Sequence, residues 1–300
     1  PPRSLTCRYV RSWQCPGTGE GMVLDSLKRA FALLLQNPLL WLPGLAAGAL
    51  GAADILLQYY LGTFLATRLW FIEALLVPFL LAGAYVQIRS GERGAVAFFA
   101  GGTAYYFRIL LPSLVIVFAV IATIFLVVLP LTLIGAVEAV LPFVVMGCTI
   151  PILFFSFFFD VAAVFEDRKV FDSIRRSVEV VMNRPGKVVF FYLTSLGIVI
   201  VVAIPLAVIW TALLYDQLLP LASMDPAQVQ AFSVSMFNEM LGPEGILITA
   251  AFYLAGVTIA GNIIYAFKAV FYRDICGETP VGAPVVLQGE YDEKGRWYKY

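Results

Sequence analysis

Long uncharged apolar runs alternate with short charged stretches along the chain, and the run lengths predict its elements. A helix that crosses a bilayer needs roughly 20 consecutive, mostly apolar residues. Residues 39–61, 69–89, 109–135, 139–165, 187–214 and 246–272 each reach that length, and 109–137 holds no charge at all. The pattern predicts six spans. The run 69–89 is the weakest, with Glu73 near its start and Arg89 at its end.

Between the runs, polarity recurs at helical period. Residues 23–38 read VLDSLKRAFALLLQNP and residues 170–185 read VFDSIRRSVEVVMNRP, related by a shift of 147 positions. Leu24, Leu27, Phe31 and Leu34 share one face of the first copy, and Phe171, Ile174, Val178 and Val181 one face of the second. This is the spacing of an amphipathic helix. Asp25 precedes Arg29 by four residues and Asp172 precedes Arg176 by four, a spacing that favours pairing along the helix. Pro38 and Pro185 then end each surface helix. Residues 95–108 occupy the equivalent place before the third run, with Gly101 and Gly102 weakening the helix. Three repeats of a surface helix plus a helical hairpin follow, beginning near 23, 95 and 170.

Composition agrees with the runs. Apolar residues make up 61% of the chain and charged residues 13%, against about 45–50% and 25% in a soluble domain. The fold class is therefore all-α integral membrane. Twenty basic residues balance twenty acidic ones, so nothing favours nucleic acid, whose phosphates need a basic excess. The chain has no histidine, which removes His-based metal sites and Ser-His or Cys-His nucleophile pairs. Cys7, Cys15, Cys148 and Cys276 lack the spacing of a zinc site. No cofactor, metal or catalytic residue is expected.

Charge distribution sets the topology. Nineteen of the twenty Lys and Arg fall in the N-terminal region, the second and fourth loops and the C-terminal end; only Arg68 lies on the other side. By the positive-inside rule both termini are cytoplasmic. The loop 215–245 holds Asp216, Asp225, Glu239 and Glu244 with no Lys or Arg, so it faces outward, with a helix expected over 226–241. Residues 1–21 read as a non-native or disordered extension before Met22, 22–277 as the six-span domain, and 278–300 as a cytoplasmic tail. Within that tail, 285–300 either folds as a small hairpin turning at 292–295 or is disordered.

The stretch FFFDVAAVFEDRKVFDSIRRSVEVVMNRPGKV (157–188) joins an acidic-basic turn, an Arg-Arg-Ser amphipathic helix and a Pro-Gly start to the next span. With the ending AFKAVFYRDICG (266–277), it resembles a prokaryotic six-helix family similar to the membrane domain of some glycerophosphoryl diester phosphodiesterases. The resemblance spans about 22–277 and implies fold and membrane location. It carries no catalytic residues, and the catalytic barrel of those relatives is absent from this chain.

Two sets of residues are candidates for function. Lys28, Arg29, Arg175, Arg176 and Lys187 lie on the polar faces of the surface helices, where they either form a collar for lipid headgroups, anionic ones included, or only anchor and orient the hairpins; a basic residue near an anionic leaflet is worth about 1 kcal/mol. Asp54, Gln58 one turn on, and Asn262 in the sixth run form a candidate intramembrane polar site, since ionisable groups there are costly to bury. Glu73, Glu138 and Asp160 lie near run ends, where interfacial water can solvate them. Pro43, Pro78, Pro130, Pro151 and Pro205 lie within runs and kink them. Gly44 and Gly48 form a GxxxG that lets helices approach, within one chain or between two. The first functional expectation is a non-enzymatic protein of the cytoplasmic membrane that organises or senses lipid or a membrane partner. The second is a transporter or channel for a small solute or lipid. The sequence leaves a protein partner or a second copy open.

Overall fold

The computed structural model describes residues 19–133, 137–222, 233–277, 289–291 and 297–299. Among them the helices are α1 Gly19–Gln36, α2 Leu42–Leu61, α3 Thr63–Ser90, α4 Ala95–Leu133, α5 Val137–Ser156, α6 Phe159–Phe165, α7 Val170–Asn183, α8 Pro185–Leu213, α9 Tyr215–Ala222 and α10 Val234–Gly277. Residues 1–18, and Val229 and Phe232 of the expected outer helix, lie outside the described residues. Six stretches are long and apolar enough to cross a membrane: Pro38–Leu61, Arg68–Ser90, Ala95–Thr132, Leu141–Phe165, Pro185–Leu213 and Ser235–Cys276. Each of the six runs has its helix.

The chain turns where local chemistry ends a helix. The Asn37 side chain accepts from Leu39 N at 3.2 Å and caps a short 3-10 turn, Pro38–Trp41; Trp41 Nε1 donates back to Leu34 O at 3.1 Å. Pro43 thus sits in the first turn of α2, where a missing N–H is harmless, and kinks nothing. Gly91 closes α3 in the left-handed region, φ 73°. Asp167 takes φ 53° in the turn before α7, a conformation Asp tolerates better than most residues. In α10 the helix breaks at Gly242, φ 62°, ahead of Pro243. Residues 234–241, ahead of that break, are the described part of the helix expected over 226–241.

The middle repeat differs from expectation. Residues 95–108 are no separate surface helix but the first turns of the 39-residue α4. Nothing like Pro38 or Pro185 ends a helix there, and Pro112 is accommodated inside it. Gly101 and Gly102 are contact points with α3: a Cβ at Gly101 would lie 2.7 Å from Val86 Cβ, and one at Gly102 3.0 Å from the Phe79 ring.

The principal core gathers at the end where α1, α6, α7 and the last turns of α3 and α10 meet, called here the basic end. Phe191 lies 4.6 Å from Phe267 and 4.7 Å from Phe271 between ring centroids, and Phe158 closes the group. A smaller cluster, Leu214, Leu241 and Ile246 with Tyr59 and Trp210, holds the far end. Between the two, α4 and α8 present Phe118, Phe125, Leu126, Val201, Ile204 and Val208 outward, a surface that hydrocarbon solvates and water does not. After α10, Gly289–Tyr291 (β1) and Trp297–Lys299 (β2) pair antiparallel; the turn expected at 292–295 lies outside the described residues.

Candidate functional site

The two copies of the repeat fold alike, side chain by side chain. Ser26 and Ser173 are fully buried, as are Ala30 and Ser177, while Leu34 and Val181 are 1% exposed. The opposite flank is exposed in both: Leu24, Lys28, Phe31 and Leu35 on α1, and Phe171, Arg175, Val178 and Met182 on α7. Spaced i, i+4, i+7, i+11, each set is one stripe along its helix. In each stripe a single basic side chain, 80% exposed at Lys28 and 81% at Arg175, stands among apolar ones.

The next residue in each copy turns inward. Arg29 pairs with Asp274 of α10 at 2.7 Å, and Arg176 with Glu166 at 3.0 Å. The expected pairing with Asp25 and Asp172 therefore gives way: Asp25 lies 3.7 Å from Lys28 instead, because better-buried acids reach the two guanidinium groups. Lys187 is half-buried at the start of α8, its Nζ 3.8 Å from Met22 Sδ. Of the five collar residues, Lys28 and Arg175 point outward; Arg29 and Arg176 hold the fold together.

Three acids tie the helix ends at the basic end. Asp274 also accepts from Ser26 Oγ at 2.5 Å. Glu166 accepts from Tyr272 Oη at 2.8 Å as well as from Arg176 and Arg168. Burial alone raises the Glu166 carboxyl, but these hydrogen bonds overcome it and hold the group below its usual 4.5. Burial likewise works against the Arg176 charge, and Glu166 reverses it, so the guanidinium is held more firmly protonated than usual. Asp167 accepts from Arg89 at 2.9 Å, Arg108 at 3.3 Å and the Tyr105 hydroxyl. The Arg89 hydrogen bond, against a smaller effect of burial, keeps that carboxyl below its usual 3.8.

Asp160 is not solvated by interfacial water, as its place near a run end suggested. It is buried, 2.6 Å from Lys268 Nζ, and accepts from Tyr85 Oη at 2.9 Å and from Val161 N at 2.8 Å. The ammonium also lies 4.2 Å from the centre of the Phe157 ring, a cation–π distance. Sequence reasoning assigned Lys268 to the basic flank and missed the pair. The available signal was one Lys and one Asp, each within an apolar run near the same end, with no other way to satisfy their charge.

At the far end Asp54 accepts from Gln58 Nε2 at 2.9 Å. Both line a cavity of about 340 Å³, with Glu73, Trp70 and Tyr253. Asn262 has no part in it. It is fully buried, accepts from Gly44 N at 2.9 Å, and donates to Trp41 O at 3.1 Å and Thr258 O at 2.7 Å. It is a joint between α2 and α10. A Cβ at Gly48 would lie 2.8 Å from Leu254 O, so the GxxxG serves packing within this chain. The side chain of Glu138 lies outside the described residues.

A second cavity, about 490 Å³, lies beneath α7. Ile116 and Ala119 of α4, Pro151 and Ile152 of α5, and Val178 and Met182 of α7 line it. Val178 and Met182 belong to the exposed stripe that carries Arg175. Among the described residues no three His, Cys, Asp or Glu gather as a metal site, and Asp160, Glu166, Asp167 and Asp274 are each engaged by a basic partner.

No curated protein and no solved structure matches the chain. The model of one family, described as a domain of unknown function (DUF7847), matches residues 22–275, and the chain belongs to that family.

Proposed function

We propose that the protein is a non-enzymatic component of the cytoplasmic membrane, with both termini cytoplasmic, that organises or senses lipid through its duplicated surface helices. One observation carries this reading: the matched stripes Leu24-Lys28-Phe31-Leu35 and Phe171-Arg175-Val178-Met182. A helix at an interface sinks apolar side chains toward the acyl region while its basic residue reaches the headgroups. Among the described residues nothing covers either stripe, although the opposite face of each helix is packed. The resemblance of 157–188 and 266–277 to the membrane domain of glycerophosphoryl diester phosphodiesterases belongs to the same reading.

The test is native mass spectrometry of protein released from nanodiscs of mixed anionic and zwitterionic lipid. The wild type is expected to retain anionic lipid preferentially. Lys28→Gln with Arg175→Gln removes about 1 kcal/mol per charge, and the preference falls. Equal retention of both lipid classes by the wild type would overturn the reading.

The cavity at Asp54, Gln58 and Glu73 favours a second reading, passage of a small solute. Flux into proteoliposomes that Asp54→Asn abolishes would support it.

A further inference from the structure

We infer that the cavity beneath α7 seats one acyl chain of an anionic lipid, whose headgroup is held at the cavity mouth by Arg175. The inference rests on the lipid reading above and names the site at which one lipid is selected.

The lining excludes other chemistry. Its ten residues present an apolar surface; the one hydroxyl, Ser156 Oγ, is spent on Ile152 O of its own helix at 2.6 Å. A polar solute would lose its hydration with no compensating hydrogen bond. Water needs two to four polar partners and finds none. Pro151, Val178 and Met182 are themselves exposed, so the cavity opens sideways between α4, α5 and α7, toward the medium that solvates the apolar flank of α4.

The mouth is basic. Arg175 follows Ile174, a lining residue, and stands three and seven positions before Val178 and Met182 on the same stripe. Its partner is Glu179 at 3.1 Å, in a pair that is 81% and 42% exposed. Such a pair contributes little, so the guanidinium can turn to a phosphate, which its planar fork binds through two hydrogen bonds.

Size and surface disfavour a partner helix. A helix about 10 Å across fills roughly 420 Å³ per turn, so the cavity would admit about one turn. Helices that associate in lipid meet through small residues, whereas Val115, Ile116, Ile152, Ile174 and Val178 are β-branched. A flexible chain of methylenes fits a narrow β-branched cleft that a second helix does not.

The experiment uses the full chain in nanodiscs doped with phosphatidylglycerol or phosphatidylcholine, each carrying a photoreactive diazirine in one acyl chain, with labelled peptides mapped by mass spectrometry. Phosphatidylglycerol is expected to label the segments around Ile116 and Ile152 above the flank around Phe125. Ala119→Trp, which fills the cavity, abolishes that excess, and Ile152→Phe reduces it should the first variant fail to fold. Arg175→Gln lowers the phosphatidylglycerol labelling about tenfold, to the phosphatidylcholine level, as expected for one lost charge-assisted contact. Even labelling of Ile116, Ile152 and Phe125 that Ala119→Trp leaves unchanged would overturn the site, while preferential retention of anionic lipid would still support the broader reading. Equal labelling by the two lipids, unaltered by Arg175→Gln, would also overturn it. So would a Met182→Cys variant that cross-links quantitatively to a second copy.

Discussion

Arg29 and Arg176 stand at equivalent places in the two copies of one repeat, and each reaches an acid beyond its own helix: Asp274 at 2.7 Å and Glu166 at 3.0 Å. Asp274 ends the last span and Glu166 follows the fourth. Each surface helix is thus pinned to the closing end of a hairpin, and the pin from Arg29 to Asp274 joins the first unit of the chain to the last. The neighbouring residues, Lys28 and Arg175, keep their charge at the surface. Adjacent basic positions in a duplicated motif have divided into one that binds the fold and one that faces outward.

Exchanging those neighbours separates the two roles. Arg176→Gln leaves the 8%-exposed Glu166 with Tyr272 and Arg168 alone, and is expected to cost about 2 kcal/mol, below the 3–5 of a fully stranded buried charge. Arg175→Gln is expected to change stability by less than about 0.5 kcal/mol. Thermal unfolding of both variants in mild detergent measures the difference; equal losses would show that the pin is not specific.

The interior pair predicts non-additivity. Lys268→Met strands Asp160, whose other partners are the Tyr85 hydroxyl and a backbone N–H, and is expected to lose about 3–5 kcal/mol. Lys268→Met combined with Asp160→Asn is expected to recover a substantial part, because the uncompensated charge is gone. A double variant less stable than the single one would contradict this account.

Glycine substitutions should differ in sign with location. Gly48→Ala drives a methyl to 2.8 Å from Leu254 O, a backbone atom that cannot step aside, and overpacking of this kind costs about 1–3 kcal/mol. At Gly197, within α8, nothing lies within 4 Å of the new Cβ, so Gly197→Ala keeps the helix-propensity gain of up to about 1 kcal/mol. Urea or thermal unfolding of the two variants checks the opposite signs.

Acid should loosen the basic end. The carboxyls of Glu166 and Asp167 are both held below their usual values of 4.5 and 3.8. Folded values below unfolded ones mean that their stabilisation is complete above about pH 4.5 and lost as pH falls through the folded values. The thermal midpoint is expected to hold steady above that point and drop below it, with a shallower drop for Glu166→Gln. A midpoint that rises on acidification would reverse the assignment.

How much of this was legible beforehand depended on whether a feature is local. The six long apolar helices were, since twenty apolar residues in a row declare themselves, and so were the first and last copies of the repeat, because Asp-Ser followed by a basic pair and a closing proline is read within sixteen residues. The middle unit misled because no proline separates 95–108 from the run that follows, so it continues into α4, where Gly101 and Gly102 let the helix lie against Val86 and Phe79. Partners were not legible from periodicity. Hydrophobic period gives the face of Asp160 and its depth, but not that Lys268, 108 positions on, faces it. Asn262 looked like Asp54, a polar residue in an apolar run; only the approach of Gly44 makes one a joint and leaves the other lining a cavity.

The orientation of the bundle can be tested on the same footing. In the structure Lys28, Arg89, Arg108, Arg176 and Lys268 cluster at the end where α1 and α7 pack, whereas Ser233 is exposed at the opposite end, beside the N-terminus of α10. A translocated loop that short is disfavoured for each basic residue it carries, so one end rich in Lys and Arg and another with Arg68 as its one basic residue among those described predict the basic end inside. With the native cysteines replaced by serine, Ser233→Cys is expected to react with a membrane-impermeant maleimide added to intact cells. Lys28→Cys, on the exposed stripe of α1, is expected to react only after the cells are opened. The reverse pattern would turn the molecule over and place Lys28 and Arg175 against the outer leaflet, where the lipid reading would have to find its anionic headgroups.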